Sequence, residues 1–179
     1  WGSCERVSPE APVQVINVNN ESAVLGGAGN VVNNLKKLGA DVDILSVIGT
    51  CQVSKQLCQL LSSIEISTKN LVVQKNRLSS KKTRVIASQQ QVVRYDRESS
   101  EDIDKDSQNS IIKIFEKVIH TYDMVLFSDY GKGVLTKTLT QKLIKLSNKY
   151  NIKVLIDPKG NDYSKYKGAF TLTPNKKEA

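Results

Sequence analysis

Histidine is almost missing from this chain, with His120 the only one among 179 residues. A Ser-His-Asp triad or a multi-histidine metal site has almost no material to work with, and His120, at the apolar end of a helical pattern, reads as structural. Cysteine is scarce too. Cys4, Cys51 and Cys58 are odd in number and form no C-x-x-C pair, so neither a disulfide framework nor a zinc site is suggested, and buried or idle thiols are expected. No apolar run approaches the roughly 20 residues of a membrane span, and no charged-then-apolar leader opens the chain. No membrane association is expected, and the default location is cytoplasmic. Aromatic residues are only 6% of the chain, which argues against a base-stacking platform.

What is present has ordinary globular proportions, 39% hydrophobic and 25% charged, and suits one packed domain. The formal net charge of +8 admits nucleic acid or a small phosphorylated ligand as partner. The lysines are dispersed, which favours a solvated surface, and no nucleic-acid partner is expected. The chain opens at Trp1 and stops at Ala179 without a terminal element, so it reads as a fragment.

The organising stretch is Gly26-Gly27-Ala28-Gly29-Asn30. Ala28, Val31, Leu35 and Leu38 follow at helical spacing, and Gly39 stands where a left-handed cap belongs. Glycines at the start of a helix clear space where backbone N–H groups and the positive dipole end converge, which suits a polar or anionic ligand. Asn30 adds a side chain with both a donor and acceptors. Val32 occupies the third small position of a dinucleotide fingerprint, and no Lys-Ser/Thr follows for a P-loop. A tight turn before a core helix is the bland alternative.

Around it the chain alternates strand and helix. Residues 13–18 alternate as a half-exposed strand, 42–48 form an apolar strand-like run, and Val53 to Ile64 carry a helical face. Lys82–Ser88 and Gln91–Tyr95 alternate as a β-hairpin turning at Gln89-Gln90. Residues 96–106 hold six carboxylates and read as a solvated linker rather than a metal site. Helical faces recur over 111–119 and 139–146, with buried strands at 124–127 and 154–156 and a short one at 170–172. Strands 42–48, 124–127 and 154–156 are expected as parallel neighbours in one sheet. The last three strands run into SDYGKG at 128–133, DPKG at 157–160 and TPN at 173–175. In doubly wound sheets such strand ends share one ligand-binding rim. Asp129, Lys132, Asp157, Lys159, Asn175 and Glu178 are thereby expected at one site, where lysines neutralise phosphate and carboxylates hold hydroxyls or a magnesium shell. Singly, each also suits a turn or helix cap.

The segment GGAGNVVNNLKKLGA at 26–40 resembles the signature of the ribokinase-like (PfkB) carbohydrate kinases. CERVSPEAPVQV at 4–15, RVIASQQQVVRYDRE at 84–98, SDYGKG, IDPKG at 156–160 and TLTPNKKE at 171–178 are similar, within that family, to the kinase half of bifunctional heptose enzymes. The resemblance implies an α/β, ribokinase-like fold: a mostly parallel sheet with helices on both faces, and a small antiparallel lid from 13–18 and 82–95. It implies ATP-dependent phosphorylation of D-glycero-β-D-manno-heptose 7-phosphate at O1, for ADP-heptose and the lipopolysaccharide core. Gly26, Gly27 and Asn30 would line the sugar site, with Arg84, Gln90, Arg94 and Asp96 on or near the lid and Asp129 and Lys132 at the sugar end. Lys159 would meet phosphate, and Asn175 with Glu178 would organise Mg²⁺ through water beside the nucleotide. A homodimer through the lid is implied as well.

Residues 1–179 would form only part of the kinase domain. The family's opening sugar-binding strand, the later G-x-G-D loop with the catalytic base, the adenine pocket and the adenylyltransferase domain would lie outside it. The chain alone is therefore expected to be inactive. Cys51 stands where many relatives carry an Asp. Another PfkB sugar or nucleoside kinase, and a non-catalytic sugar-phosphate-binding module, are the alternatives.

Overall fold

The computed structural model describes residues 1–160 and 162–178, without the side chains of Glu5 and Arg6. Parallel pairing is strongest near the C-terminus. Strands β7 (Met124–Ser128), β8 (Lys153–Asp157) and β9 (Thr171–Leu172) form a three-stranded sheet with Phe127 opposite Ile156 and Ile156 opposite Leu172. Register therefore sets the ends of β7 and β8, Ser128 and Asp157, side by side.

Helices α3 (Lys105–Val118) and α4 (Lys137–Lys149) bury one face each on this sheet. Their Ile111, Phe115, Leu139, Leu143 and Ile144 share a core with Phe127, Val154 and Ile156. Side-chain caps start both: Asp104 Oδ1 accepts from Ser107 N at 2.7 Å and Thr136 Oγ1 from Leu139 N at 3.2 Å, satisfying donors the helix cannot. Ile103, the one apolar residue of the acidic linker, is 2% exposed and joins this core.

A second, smaller core lies under α1 (Ala28–Lys37) and α2 (Gln52–Ser62), where Val32, Leu61 and Ile66 meet. Helix α1 ends as the sequence indicates. Gly39 has φ of +89°, its N–H bonds Lys36 O at 3.0 Å, and Ala40 N bonds Leu35 O at 3.1 Å, the paired bonds of a Schellman cap.

The expectation for 42–48 needs correction. Only Ser46–Ile48 is a strand, β3, and it pairs in parallel with β4 (Leu71–Val73) rather than with β7. The edges of β3 and β7 away from their partners stay unpaired among the described residues, and both strands line one cleft. Strand β7 is consequently not buried on both faces, since Met124 and Leu126 are 50% and 40% exposed. His120 is exposed beside the Tyr150 ring.

The alternating segments form a separate four-stranded sheet in the order β2-β1-β5-β6. It contains β1 (Gly2–Val7), β2 (Gln14–Val18), β5 (Lys81–Ala87) and β6 (Gln90–Arg97). The hairpin turns at Ser88-Gln89, one residue earlier than the sequence suggests. Both residues have positive φ, 49° and 65°, as a two-residue type I′ turn requires.

Candidate functional site

Two sequence motifs meet at Gly27. It is the N-cap of α1 with φ of +53°, and a Cβ there would stand 3.5 Å from the ring of Tyr130. The positive φ favours glycine, and the segment after β7 packs on the glycine loop at ordinary contact distance. The ring of Tyr130 remains 43% exposed.

Asp129 fixes that segment. It is 6% exposed, its Oδ1 accepts from Gly131 N at 2.7 Å, and its Oδ2 accepts from Lys165 Nζ at 2.6 Å and Tyr166 Oη at 2.7 Å. Burial draws the Lys165 ammonium down, but the Asp129 carboxylate outweighs it and leaves the net shift upward. Burial and then Asp129 push the Tyr166 phenol up. Asp129 thus lines the cleft with both oxygens engaged in holding the loop.

The neighbouring strand end is reached through Gly131, where a Cβ would lie 3.3 Å from Lys159 Cγ. Lys159 Nζ donates to Glu178 Oε1 at 2.8 Å, while Glu178 Oε2 accepts from Asn175 N at 3.2 Å. Asn175 Oδ1 accepts in turn from Lys177 N at 2.9 Å and Glu178 N at 3.2 Å. The ammonium holds the Glu178 carboxyl below its usual range, and the carboxylate raises Lys159. Asp157, beside them, is pushed up by burial and then by Glu178. The Glu178 carboxylate keeps spare lone pairs and fits Mg²⁺ held through water, whereas Asn175 Oδ1 has both lone pairs engaged by backbone N–H groups and serves to hold Glu178 in place. Among the described residues no three His, Cys, Asp or Glu side chains cluster to grip a metal directly.

On the side of the four-stranded sheet, Lys82 opposes Asp96 and Arg84 opposes Arg94, so all four share one face. Arg94 makes two bonds to Asp96, at 2.9 and 2.6 Å, and Lys82 a third at 3.1 Å. Arg94 first and Lys82 after it hold the Asp96 carboxyl well below the usual range. Glu98 pairs with Lys132 and lies 3.3 Å from Lys82. The Lys82 contact is within ion-pair range but off the hydrogen-bonding direction, so Oε2 of Glu98 stays without a bond.

Of the residues singled out by sequence, Gly26, Gly27, Arg84, Asp129, Lys132 and Lys159 line one cleft of about 1580 Å³. Glu178 and Asn175 attach to it through Lys159, and Arg94 and Asp96 share the face of Arg84. Asn30 is exposed on the first turn of α1 and Gln90 is exposed at the hairpin end, and neither lies on the cleft wall. Sequence reasoning passed over Tyr130, although it lies within SDYGKG. It passed over Arg77, Lys165 and Tyr166 as well, which no motif or periodicity marks.

The chain resembles known proteins over its whole length. It is 63% identical over 179 residues to the bifunctional protein HldE of Aliarcobacter butzleri and 55% to that of Sulfurimonas denitrificans, covering 100% of this chain and 38% of each relative. It therefore spans about two fifths of the length of the curated relatives it matches. Among solved structures, a possible 1-phosphofructokinase from Thermotoga maritima superposes with a TM-score of 0.69 at 16% identity, covering 98% of this chain and 53% of that one. Arabidopsis thaliana ribokinase, complexed with ribose and ATP, gives 0.64 at 14%, covering 99% and 59%. At such identities the likeness shows the fold, which is ribokinase-like α/β. The profile described as pfkB family carbohydrate kinase matches residues 2–179, and on that match the chain belongs to the pfkB family.

Proposed function

We propose that this chain is the sugar-side part of a kinase that moves the γ-phosphoryl group of ATP to O1 of D-glycero-β-D-manno-heptose 7-phosphate, in ADP-heptose synthesis for the lipopolysaccharide core. The observation that carries the reading is the convergence of the glycine loop, the SDYGKG loop and Lys159 on one cleft. Identity of 63% to a bifunctional HldE protein supports the heptose assignment. Phosphoryl transfer needs positioning and charge neutralisation more than covalent chemistry, and this cleft supplies cations and backbone donors.

In this reading Gly26, Gly27, Arg84, Arg94, Asp96, Asp129 and Lys132 serve the sugar and Lys159 the transferred phosphate, while Asn30 and Gln90, which stand off the cleft wall, are assigned to the sugar on the resemblance alone. Glu178, held in place by Asn175, would hold Mg²⁺ through water, and the ion would neutralise charge on the nucleotide phosphates. The base is assigned to a residue outside this chain, so residues 1–179 alone should show no turnover. The reaction belongs to the cytoplasm, in a homodimer joined through the four-stranded sheet acting as a lid.

The test is ADP release by the full-length protein with heptose 7-phosphate, fructose 6-phosphate and adenosine as alternative acceptors. Preference for heptose 7-phosphate is expected, and preference for another acceptor overturns the assignment. Asn30→Ala should raise the sugar KM with kcat little changed, and Glu178→Gln should mainly lower kcat. If both variants changed only the sugar KM, Glu178 would have no metal role.

A further inference from the structure

Arg77 is 7% exposed and lines the cleft, yet none of the ion pairs among the described residues includes it. Its guanidinium donates instead to two main-chain carbonyls, Nη1 to Glu101 O at 3.1 Å and Nη2 to Lys132 O. Burial lowers the Arg77 guanidinium, and the carboxylates of Glu101, Asp102 and Asp104 offset that only in part and without direct contact, so burying the charge here costs stability that an apolar side chain would not. What arginine offers in return is a rigid fork that joins two carbonyls at fixed spacing.

The two carbonyls belong to segments distant in sequence. Glu101 lies on the chain leaving β6, and Lys132 on the loop after β7. Arg77 itself lies on the chain entering β5, so three segments meet at one guanidinium. Other contacts tighten the same junction. Leu78 N donates to Ser99 Oγ at 3.0 Å and Ile103 N to Gly133 O at 2.9 Å. A Cβ on Gly133 would fall 2.0 Å from Glu101 O, and one on Gly49 would fall 1.8 Å from Arg77 O, so backbone approaches there that only glycine permits. Lys132, whose carbonyl Arg77 holds, extends its own ammonium to Glu98 at the foot of β6.

We propose that Arg77 is a positioning residue for sugar-phosphate binding: it locks Lys132 and both roots of the four-stranded sheet into the spacing that receives the anionic sugar. The inference rests on the kinase reading above. It adds that the cationic wall of the cleft is set by a buried side chain acting through two main-chain carbonyls.

The test uses the full-length enzyme carrying Arg77→Lys, which keeps the charge and loses the fork. The expected result is a sugar-phosphate KM raised roughly ten-fold, the effect of losing about one hydrogen bond's worth of ground-state binding. The KM for ATP and kcat should stay within about two-fold. A merely structural role would lower apparent kcat with the folded fraction and leave the sugar-phosphate KM unchanged, and an unchanged sugar-phosphate KM overturns the inference whether or not apparent kcat falls. Should Arg77→Lys not fold, Ser99→Ala removes only the acceptor of Leu78 N. A rise of roughly three-fold in the same KM supports the inference, and an unchanged KM overturns it. If the unmutated enzyme neither binds nor phosphorylates a sugar phosphate, the kinase reading fails and the inference with it. Binding that is normal in both enzymes defeats the inference alone.

Discussion

Cys51 shows how local chemistry departs from what residue type suggests. It caps α2, 3.4 Å from the Ser54 hydroxyl. That hydrogen bond, opposed by burial and helped by the backbone at Ser79, Ser54 and Val53, lowers its thiol from 9.0 to about 7. The sequence predicts a buried or idle thiol, and Cys51 is partly buried; a lowered thiol holds more thiolate near neutral pH, which is the nucleophilic form. Alkylation by iodoacetamide should therefore titrate with a midpoint near pH 7, and Ser54→Ala should move that midpoint up. The sign for stability follows from linkage. The folded value lies below the unfolded one, so the contribution is complete above about pH 9 and is lost as pH falls through about 7. Urea midpoints of the parent minus those of Cys51→Ser should rise across that window, and a flat difference would contradict the shift. The same scale explains why site residues were unevenly legible. Lys132 and Glu178 stand in motifs that name themselves, but Arg77 and Tyr166 act through partners at sequence separations of 55 and 37, which no periodicity records.

Among the elements, the strands that alternate are the ones the sequence displays: β2, β5 and most of β6 show it, although β6 carries one extra residue, Val92, where its register against β5 shifts between Val85 and Ile86. Strand β4, three residues long, is too short to establish a period. Strand β1 hides for another reason, because its register against β2 shifts between Cys4 and Arg6, and a bulge breaks the two-residue alternation. The run 42–48 misleads because Val42, Ile44 and Leu45 are apolar for packing against two different cores, not for pairing. The hairpin carries its own prediction. Ser88 and Gln89 both occupy positive φ, a conformation that costs L-residues energy and suits Asn-Gly. Replacing them by Asn-Gly should stabilise the chain by about 1 kcal/mol. The measurement is the urea midpoint of the double variant, and a lower midpoint would show that the turn is not of the I′ kind.

For the whole molecule, the question is where apolar surface remains without a partner. Thr83 opposes Tyr95 and Val85 opposes Val93 on the second face of the hairpin, away from the face that bears Lys82, Arg84, Arg94 and Asp96. Val93 is 47%, Tyr95 56% and Val18 55% exposed, and Trp1 is open just before β1; of these Trp1, Val18 and Tyr95 also line the cleft, and Val93 does not. Contiguous apolar surface on one sheet face marks an interaction site more often than scattered exposure does. Two copies of the sheet placed face to face would bury these residues under one two-fold operator, while the free edges of β2 and β6 could extend the contact. A stable dimer needs roughly 1,200–2,000 Å² of total buried surface, so apolar side chains at the centre of the patch should decide the outcome. Placing a carboxylate at the one of these positions that does not line the cleft, as Val93→Glu, sets like charges against each other across the two-fold axis in a desolvated contact. Sedimentation of the full-length protein should show a dimer converted to a monomer by Val93→Glu. A dimer that survives the substitution would mean that the subunits meet elsewhere.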